Sequence, residues 1–232
     1  MTHSHTSDQQ GVTTDSSFRD HLRAIPSLVG HPVGFDPASH PSTPQELFLD
    51  WFRAAEEAGI AEPHAMSVST VDAEGVPDTR LLVLKDLTAD GAWCFAGKRD
   101  SAKGRQLSTN PVAALTFYWR ELVRSVRIRG RITEAPEVES RRDFTARSLD
   151  ARAIALAGKQ SAPLGSLDEL ARDVEDARQR LHHDPDTVPA AWTVWELRPS
   201  AVEFWEGSTS RLHSRLRYDH TSNGWRASQL RP

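Results

Sequence analysis

Near the C-terminus, Arg211, His213 and Arg215 stand at alternate positions. In an extended chain all three side chains leave the same face. Two guanidiniums flanking an imidazole suit an anionic, planar ligand. Each fork binds phosphate or carboxylate bidentately, and the imidazole exchanges a proton near neutral pH. The plain alternative for Arg-x-His-x-Arg is a solvated strand face. Trp205 just upstream and Trp225 just downstream favour a pocket, because aromatic surface beside converging cations is uncommon on simple solvated surface.

Two further stretches place charge where it could act. Arg80-Leu81-Leu82-Val83-Leu84-Lys85 is an apolar strand with a cation at each end, a pattern that by itself marks where a strand meets water. Arg80 and Lys85 have opposite parity, so both reach one ligand only if the strand twists or the ligand wraps its end. Ser101-Ala102-Lys103-Gly104-Arg105-Gln106 reads as a helix start, where free amides and the helix dipole favour an anion. His3 and His5 are too few ligands for a metal, and no metal is expected. Cys94, the single cysteine, excludes an intramolecular disulfide and reads as a small buried hydrophobe.

In combination, Phe204-Trp205, Arg211-Leu212-His213 with Arg215, Gly224-Trp225 and Leu230-Arg231-Pro232 resemble the C-terminal signature of the pyridoxamine 5′-phosphate oxidase family. The phenazine-biosynthesis flavin oxidases are a branch of that family. The resemblance runs from about residue 44 to 232 and implies a mainly β fold with peripheral helices, an FMN-binding split β-barrel. It implies an FMN-dependent oxidase that uses O2 and releases H2O2. The flavin contacts it implies are Arg80, Leu81, Leu82, Val83, Leu84, Lys85, Phe95, Ala96, Lys103, Ser125, Gln160, Ser161, Trp205 and Arg215. Two positions depart from the family pattern. Ala102 stands where an Arg is common, with Arg99 or Arg105 as substitutes, and Ser125 stands where relatives usually have Gln.

For substrate, the resemblance implies that Arg211 orients it, that His213 assists binding or proton transfer, and that Lys85 reaches it. In relatives a Tyr, an Arg and a Ser from a helical insertion bind the substrate phosphate; here they match Asp143, Arg147 and Ala151. Each lost charge-assisted hydrogen bond costs about 1.5–3 kcal/mol, and a carboxylate repels a dianion. A shift of alignment by a residue or two would bring in Arg142 or Arg152 instead. The eroded pocket, with Tyr118-Trp119-Arg120-Glu121 and Arg215-Leu216-Arg217-Tyr218-Asp219, favours a small anionic reduced heteroaromatic of the dihydrophenazine-carboxylate type. Retained Lys85, Arg147, Arg211 and His213 leave open pyridoxine or pyridoxamine 5′-phosphate as substrate, with pyridoxal 5′-phosphate as product. A split barrel that binds flavin or haem without turnover is a third reading, opposed by the Arg-x-His-x-Arg face.

The scaffold that must position these groups is legible in outline. Thr43-Pro44-Gln45-Glu46 is a capping box; Leu47, Phe48, Trp51, Phe52 and Ala55 form its helix's apolar stripe, and Gly59 ends it. From residue 65 the period becomes two. Strands are expected at 66–71 and 79–85 around Asp72-Ala73-Glu74-Gly75, then at 92–96, 112–119 and 122–134. In the last, Val126, Ile128 and Ile132 alternate with Ser125, Arg127, Arg129 and Arg131, giving one wet face. Ser166-Leu167-Asp168-Glu169 caps another helix, faced by Leu167, Leu170, Val174, Ala177 and Leu181. Strands return at 191–197, 201–205, 212–218 and 225–230, and a short helix is expected near 18–25. Such a meander, interrupted by helices, reads as a closed or split barrel.

The 232 residues suit one domain, 17–232, preceded by a polar arm, 1–16, expected to be disordered because it buries too little to offset its ordering entropy. A net charge of −4 argues against nucleic-acid binding, and no apolar run approaches membrane-span length. The N-terminus has no apolar core of the secretory kind, so a cytoplasmic location is expected. In relatives the flavin lies between subunits, which implies a homodimer with FMN at its interface.

Overall fold

The computed structural model describes residues 16–232, so the arm expected to be disordered lies outside the described residues except for Ser16. Helices α1 (Ser16–Ala24) and α2 (Pro44–Glu57) lead into strands β1 (Ala65–Val71), β2 (Pro77–Val83), β3 (Asp86–Leu87) and β4 (Trp93–Lys98). Helix α3 (Ala102–Thr109), β5 (Val112–Trp119) and β6 (Arg124–Glu134) follow. A helical insertion of α4 (Glu137–Thr145), α5 (Leu149–Ala157) and α6 (Leu167–His183) separates these from β7 (Trp192–Glu206), β8 (Ser214–Thr221) and β9 (Gly224–Gln229). The strands form one curled antiparallel sheet in the order β2-β1-β5-β6-β7-β4-β3, with β8 on β7 and β9 on β8. This is the split-barrel architecture, with its helices at the periphery.

Helix α2 forms as its sequence dictates. Thr43 Oγ1 accepts the Glu46 N–H while the Glu46 carboxylate accepts the Thr43 N–H at 3.1 Å, closing the capping box. At the other end Gly59 takes φ +70°, its N–H bonds the Glu56 carbonyl and Ile60 N–H bonds the Ala55 carbonyl, a Schellman stop. The apolar stripe delivers Phe48 against Phe117 at 5.1 Å between ring centroids and against Trp93 at 6.0 Å, while Trp51 meets Phe204 edge-on at 5.2 Å. Phe48 is fully buried, and its truncation to Ala in such a setting costs about 3–5 kcal/mol.

Strand β7 departs from the expected pair of strands by running unbroken for 15 residues. One edge pairs with β6 along most of its length; the other pairs first with β4 over 192–197 and then with β8 over 201–206. Pro199, which has no N–H to donate, sits between those two partners, where that edge has no ladder to complete. Opposite it, β6 carries an irregularity between Arg129 and Gly130. A Cβ on Gly130 would lie 2.0 Å from the Arg198 carbonyl oxygen, so this close approach requires glycine. Strand β7 thus exchanges β4 for β8 at this point.

Candidate active site

A cavity of about 420 Å³ is lined by β2, β4, the first turn of α3 and the helical insertion. Lys98, Lys103, Arg147 and Lys159 line it together with Leu82, Ala96, Gly97, Gln160 and Trp192, and among the described residues no Asp or Glu lines it. Lys103 is delivered by the first turn of α3. Ser101 caps that helix by accepting the Gly104 N–H, and its hydroxyl lies 3.3 Å from Lys103 Nζ. Two glycines make the arrangement fit. A Cβ on Gly97 would sit 2.8 Å from Lys103 Nζ, and one on Gly104 would sit 2.2 Å from the Arg99 carbonyl oxygen. Lys103 is only 4% exposed, and burial, with the like charge of Arg80, pushes its ammonium pKa down to about 8.

Arg80 approaches from β2, held by Thr70 Oγ1 at 2.6 Å, Gln106 Oε1 at 3.1 Å, Asp78 and the Val68 carbonyl. The parity conflict with Lys85 is resolved because β2 ends at Val83; the chain then turns, and Lys85 N–H bonds the Cys94 carbonyl at 2.8 Å. Leu82 faces the cavity, whereas Leu81 is 79% exposed on the opposite face. Phe95 does not line the cavity: it is fully buried, 5.5 Å from Trp195, and Gly97 lines it beside Ala96. Arg99 bonds Glu134 and the Ala190 carbonyl, Arg105 donates to the Asp100 carbonyl, and neither lines the cavity. Lys98 does line the cavity and pairs with the exposed Asp100 at 3.6 Å. It was visible in the sequence only as one of four lysines, since nothing in a strand-end Lys says which way it turns.

Asp143 does not line this cavity but holds the Trp192 side chain that does. Its Oδ2 accepts the Trp192 indole N–H at 2.9 Å, and its Oδ1 lies 3.8 Å from Lys85 Nζ. Arg147 stacks on the same Trp192 ring at 4.5 Å and donates to the Ala151 carbonyl at 3.1 Å; burial lowers its pKa, opposed by Asp143. Arg152 turns away to the Pro185 carbonyl. Arg142 joins Lys85 and Asp143 around a neighbouring cavity of about 390 Å³. Cys94 lines that cavity too, but burial pushes its thiol pKa up to about 12, which leaves it protonated and inert.

The remaining residues gather on the open sheet face. Ser125, Trp205 and Arg215 are direct partners across β6, β7 and β8. The expectation that Arg211, His213 and Arg215 alternate along one extended strand is not met. Strand β8 begins at Ser214, and Arg211 sits in a turn at φ +65°, its guanidinium 3.3 Å from the Ser27 hydroxyl. The run Ser208-Thr209-Ser210 bonds within itself and lifts the chain out of the ladder. His213 packs on Trp205 at 5.1 Å, and its Nδ1 accepts the Ser208 N–H at 3.0 Å, so the neutral ring carries its proton on Nε2. Gln160 lines the cavity; Ser161, at φ +70°, is exposed and does not. None of Ser125, Trp205, Arg211, His213 or Arg215 lines the cationic cavity, so one protomer holds the expected site in two parts.

The cationic cavity is chemically suited to a phosphate-bearing cofactor: three buried or half-buried cations, no lining carboxylate, and space made by Gly97. Residues 52–181 match the family model for pyridoxamine 5′-phosphate oxidase, and residues 192–232 match the pyridoxine 5′-phosphate oxidase C-terminal dimerisation region. The pyridoxine/pyridoxamine 5′-phosphate oxidase of Pseudomonas paraeruginosa is 40% identical over 201 residues, covering 86% of this chain and 93% of the relative. That of Herminiimonas arsenicoxydans is 40% identical over 199 residues, covering 85% and 92%. Among solved structures, PhzG from Burkholderia lata 383, in complex with tetrahydrophenazine-1-carboxylic acid, superposes with a TM-score of 0.82 at 28% identity, over 88% of this chain and all of that one. Fold, cationic cavity and sequence agree: the chain belongs to the pyridoxamine 5′-phosphate oxidase family, whose cofactor is FMN.

Proposed function

We propose that this protein is an FMN-dependent oxidase that uses O2 to oxidise a small anionic reduced heteroaromatic, of the dihydrophenazine-carboxylate type, in preference to phosphorylated pyridoxine. The observation that carries this reading is Asp143. It lies where a phosphate-binding hydroxyl is expected, accepts the Trp192 N–H, and draws on the charge of Lys85. A substrate phosphate placed there would meet a carboxylate and a lysine already paired. A carboxylate at a greater distance, met by Arg211, would not. The solved neighbour bound to tetrahydrophenazine-1-carboxylic acid supports the same direction.

In this reading Lys98, Lys103 and Arg80 hold the FMN phosphate, Trp205 packs against its ring system, and Arg215 donates to it. When bound, FMN supplies the two-electron acceptor, which O2 regenerates with release of H2O2. Arg211, outside any strand and lightly held, orients the substrate anion. His213, with Nδ1 occupied, presents Nε2–H as a hydrogen-bond donor to it. The two halves of the site come together in a homodimer with FMN at its interface; the dimerisation region and the exposed Leu81 and Tyr118 support that assembly.

A second reading, oxidation of pyridoxine or pyridoxamine 5′-phosphate, is favoured by the curated relatives at 40% identity and by Arg147, retained on the cavity wall. Steady-state peroxide release under air, with a reduced phenazine carboxylate against pyridoxine 5′-phosphate, separates the two. The first reading requires the carboxylate to be turned over with the higher kcat/KM. A micromolar KM for pyridoxine 5′-phosphate would replace it with the second.

A further inference from the structure

Three guanidiniums and two carboxylates share the open face where β6, β7 and β8 lie side by side. Glu203 on β7 is buried and stands directly opposite Arg127 on β6 and Arg217 on β8. Its Oε1 accepts from Arg215 Nε at 3.0 Å and from Arg215 Nη2 at 2.6 Å, and its Oε2 accepts from Arg127 Nη2 at 2.5 Å. Arg217 turns instead to Asp219, at 2.6 Å. Arg215 Nη1 donates to the Arg231 carbonyl at 2.8 Å. A guanidinium has five N–H groups; these contacts use three and leave one on each Nη. Arg215 is therefore oriented by Glu203, and Glu203 divides its charge between two arginines.

We propose that Glu203 is a positioning residue for the flavin: it fixes the Arg215 guanidinium and halves the positive charge that Arg127 and Arg215 together present. The proposal rests on the reading that Arg215 faces FMN. A phosphate dianion beside Glu203 would be repelled, whereas the cavity lined by Lys98, Lys103 and Arg147 has no lining carboxylate. The two spare donors of Arg215 are thus suited to a neutral carbonyl on the flavin ring, and Glu203 sets how strongly that edge favours the reduced, more anionic flavin.

The experiment reconstitutes the full-length protein with FMN and measures two quantities: FMN affinity by fluorescence quenching, and the two-electron midpoint potential by dye equilibration. Glu203→Gln keeps the shape and removes the charge, so the potential rises by about 30 mV, the equivalent of about a tenfold preference for reduced flavin. Arg127→Ala gives an independent arm on an exposed side chain. It leaves Glu203 to Arg215 alone, and the potential falls by a comparable amount. Arg215→Ala weakens FMN binding about tenfold or more, and in that background Glu203→Gln moves the potential less, because only Arg127 is left for Glu203 to offset. If Arg215→Ala weakens binding but Glu203→Gln and Arg127→Ala leave the potential in place, the role of Glu203 is wrong and the flavin placement stands. If Arg215→Ala changes neither quantity, the placement itself is wrong.

Discussion

Lys85 Nζ lies 3.8 Å from Asp143 Oδ1, so the lysine that would reach a substrate faces a carboxylate on the helical insertion. Asp143 is fixed in turn by the Trp192 indole. Replacing Asp143 with Asn keeps an acceptor for Trp192, removes the repulsion and frees Lys85. Affinity for pyridoxine 5′-phosphate is expected to rise about tenfold, equivalent to about 1.4 kcal/mol, and further when Ala151→Ser is added. Titration of the flavin spectrum with that ligand measures it. An unchanged dissociation constant in both variants would mean that Asp143 does not face the substrate.

Arg211 and Arg215 divide between substrate and cofactor. Among the described residues the Arg211 guanidinium makes one long contact, to Ser27, so Arg211→Ala is expected to fold normally and stay yellow. Its turnover should drop at least tenfold, on the basis of a lost charged donor worth about 1.5–3 kcal/mol. Bound FMN per protomer and kcat/KM, measured on the same preparation, check this. Equal loss of flavin in Arg211→Ala and Arg215→Ala would refute the division.

The depressed pKa of Lys103 has two consequences of opposite sign. From its ordinary 10.5, burial first and Arg80 second bring it down to about 8, with Asp100 opposing. Between these values the unfolded chain holds the proton and the folded apoprotein does not. Apoprotein stability from this group therefore rises with pH across that window, and the penalty for the buried ammonium is fully present below about 8. Anion binding needs the ammonium, whose fraction in the apoprotein falls about tenfold between about pH 7 and 9. FMN affinity should fall in step, and Lys103→Arg should flatten the profile. A wild-type profile that is flat over that range would show that Lys103 does not meet the phosphate.

Arg124 and Glu206 form a buried pair at 2.7 Å, and the Arg124 guanidinium also lies 4.3 Å from the Trp51 ring. Glu206→Ala strands a buried cation and is expected to cost about 3–5 kcal/mol in urea unfolding. Changing both residues to apolar ones of similar volume should cost much less. A loss below about 1 kcal/mol for the single change would mean that water reaches Arg124.

By itself the sequence determined the elements whose cause is local. The capping boxes at Thr43 and Ser166, the Gly59 stop and the alternation of Val126, Ile128 and Ile132 each follow from spacing along a few residues. The family signature extended that to the cofactor and to Leu82, Ala96, Lys103, Arg147 and Gln160 among the residues lining the cationic cavity. Tertiary structure decided the rest. Period-two reading broke down at Arg211, because hydroxyls of Ser208 and Ser210 compete with the sheet for backbone hydrogen bonds, and at Pro199, because a strand can change partners without ending. Lys98 at the cavity, Asp143 against Lys85 and Trp192, and Glu203 between two arginines are contacts between residues distant in sequence. A charged side chain read from sequence has a sign but no partner; only the packed sheet and insertion determine which charge it meets, and so what it has left to offer a ligand.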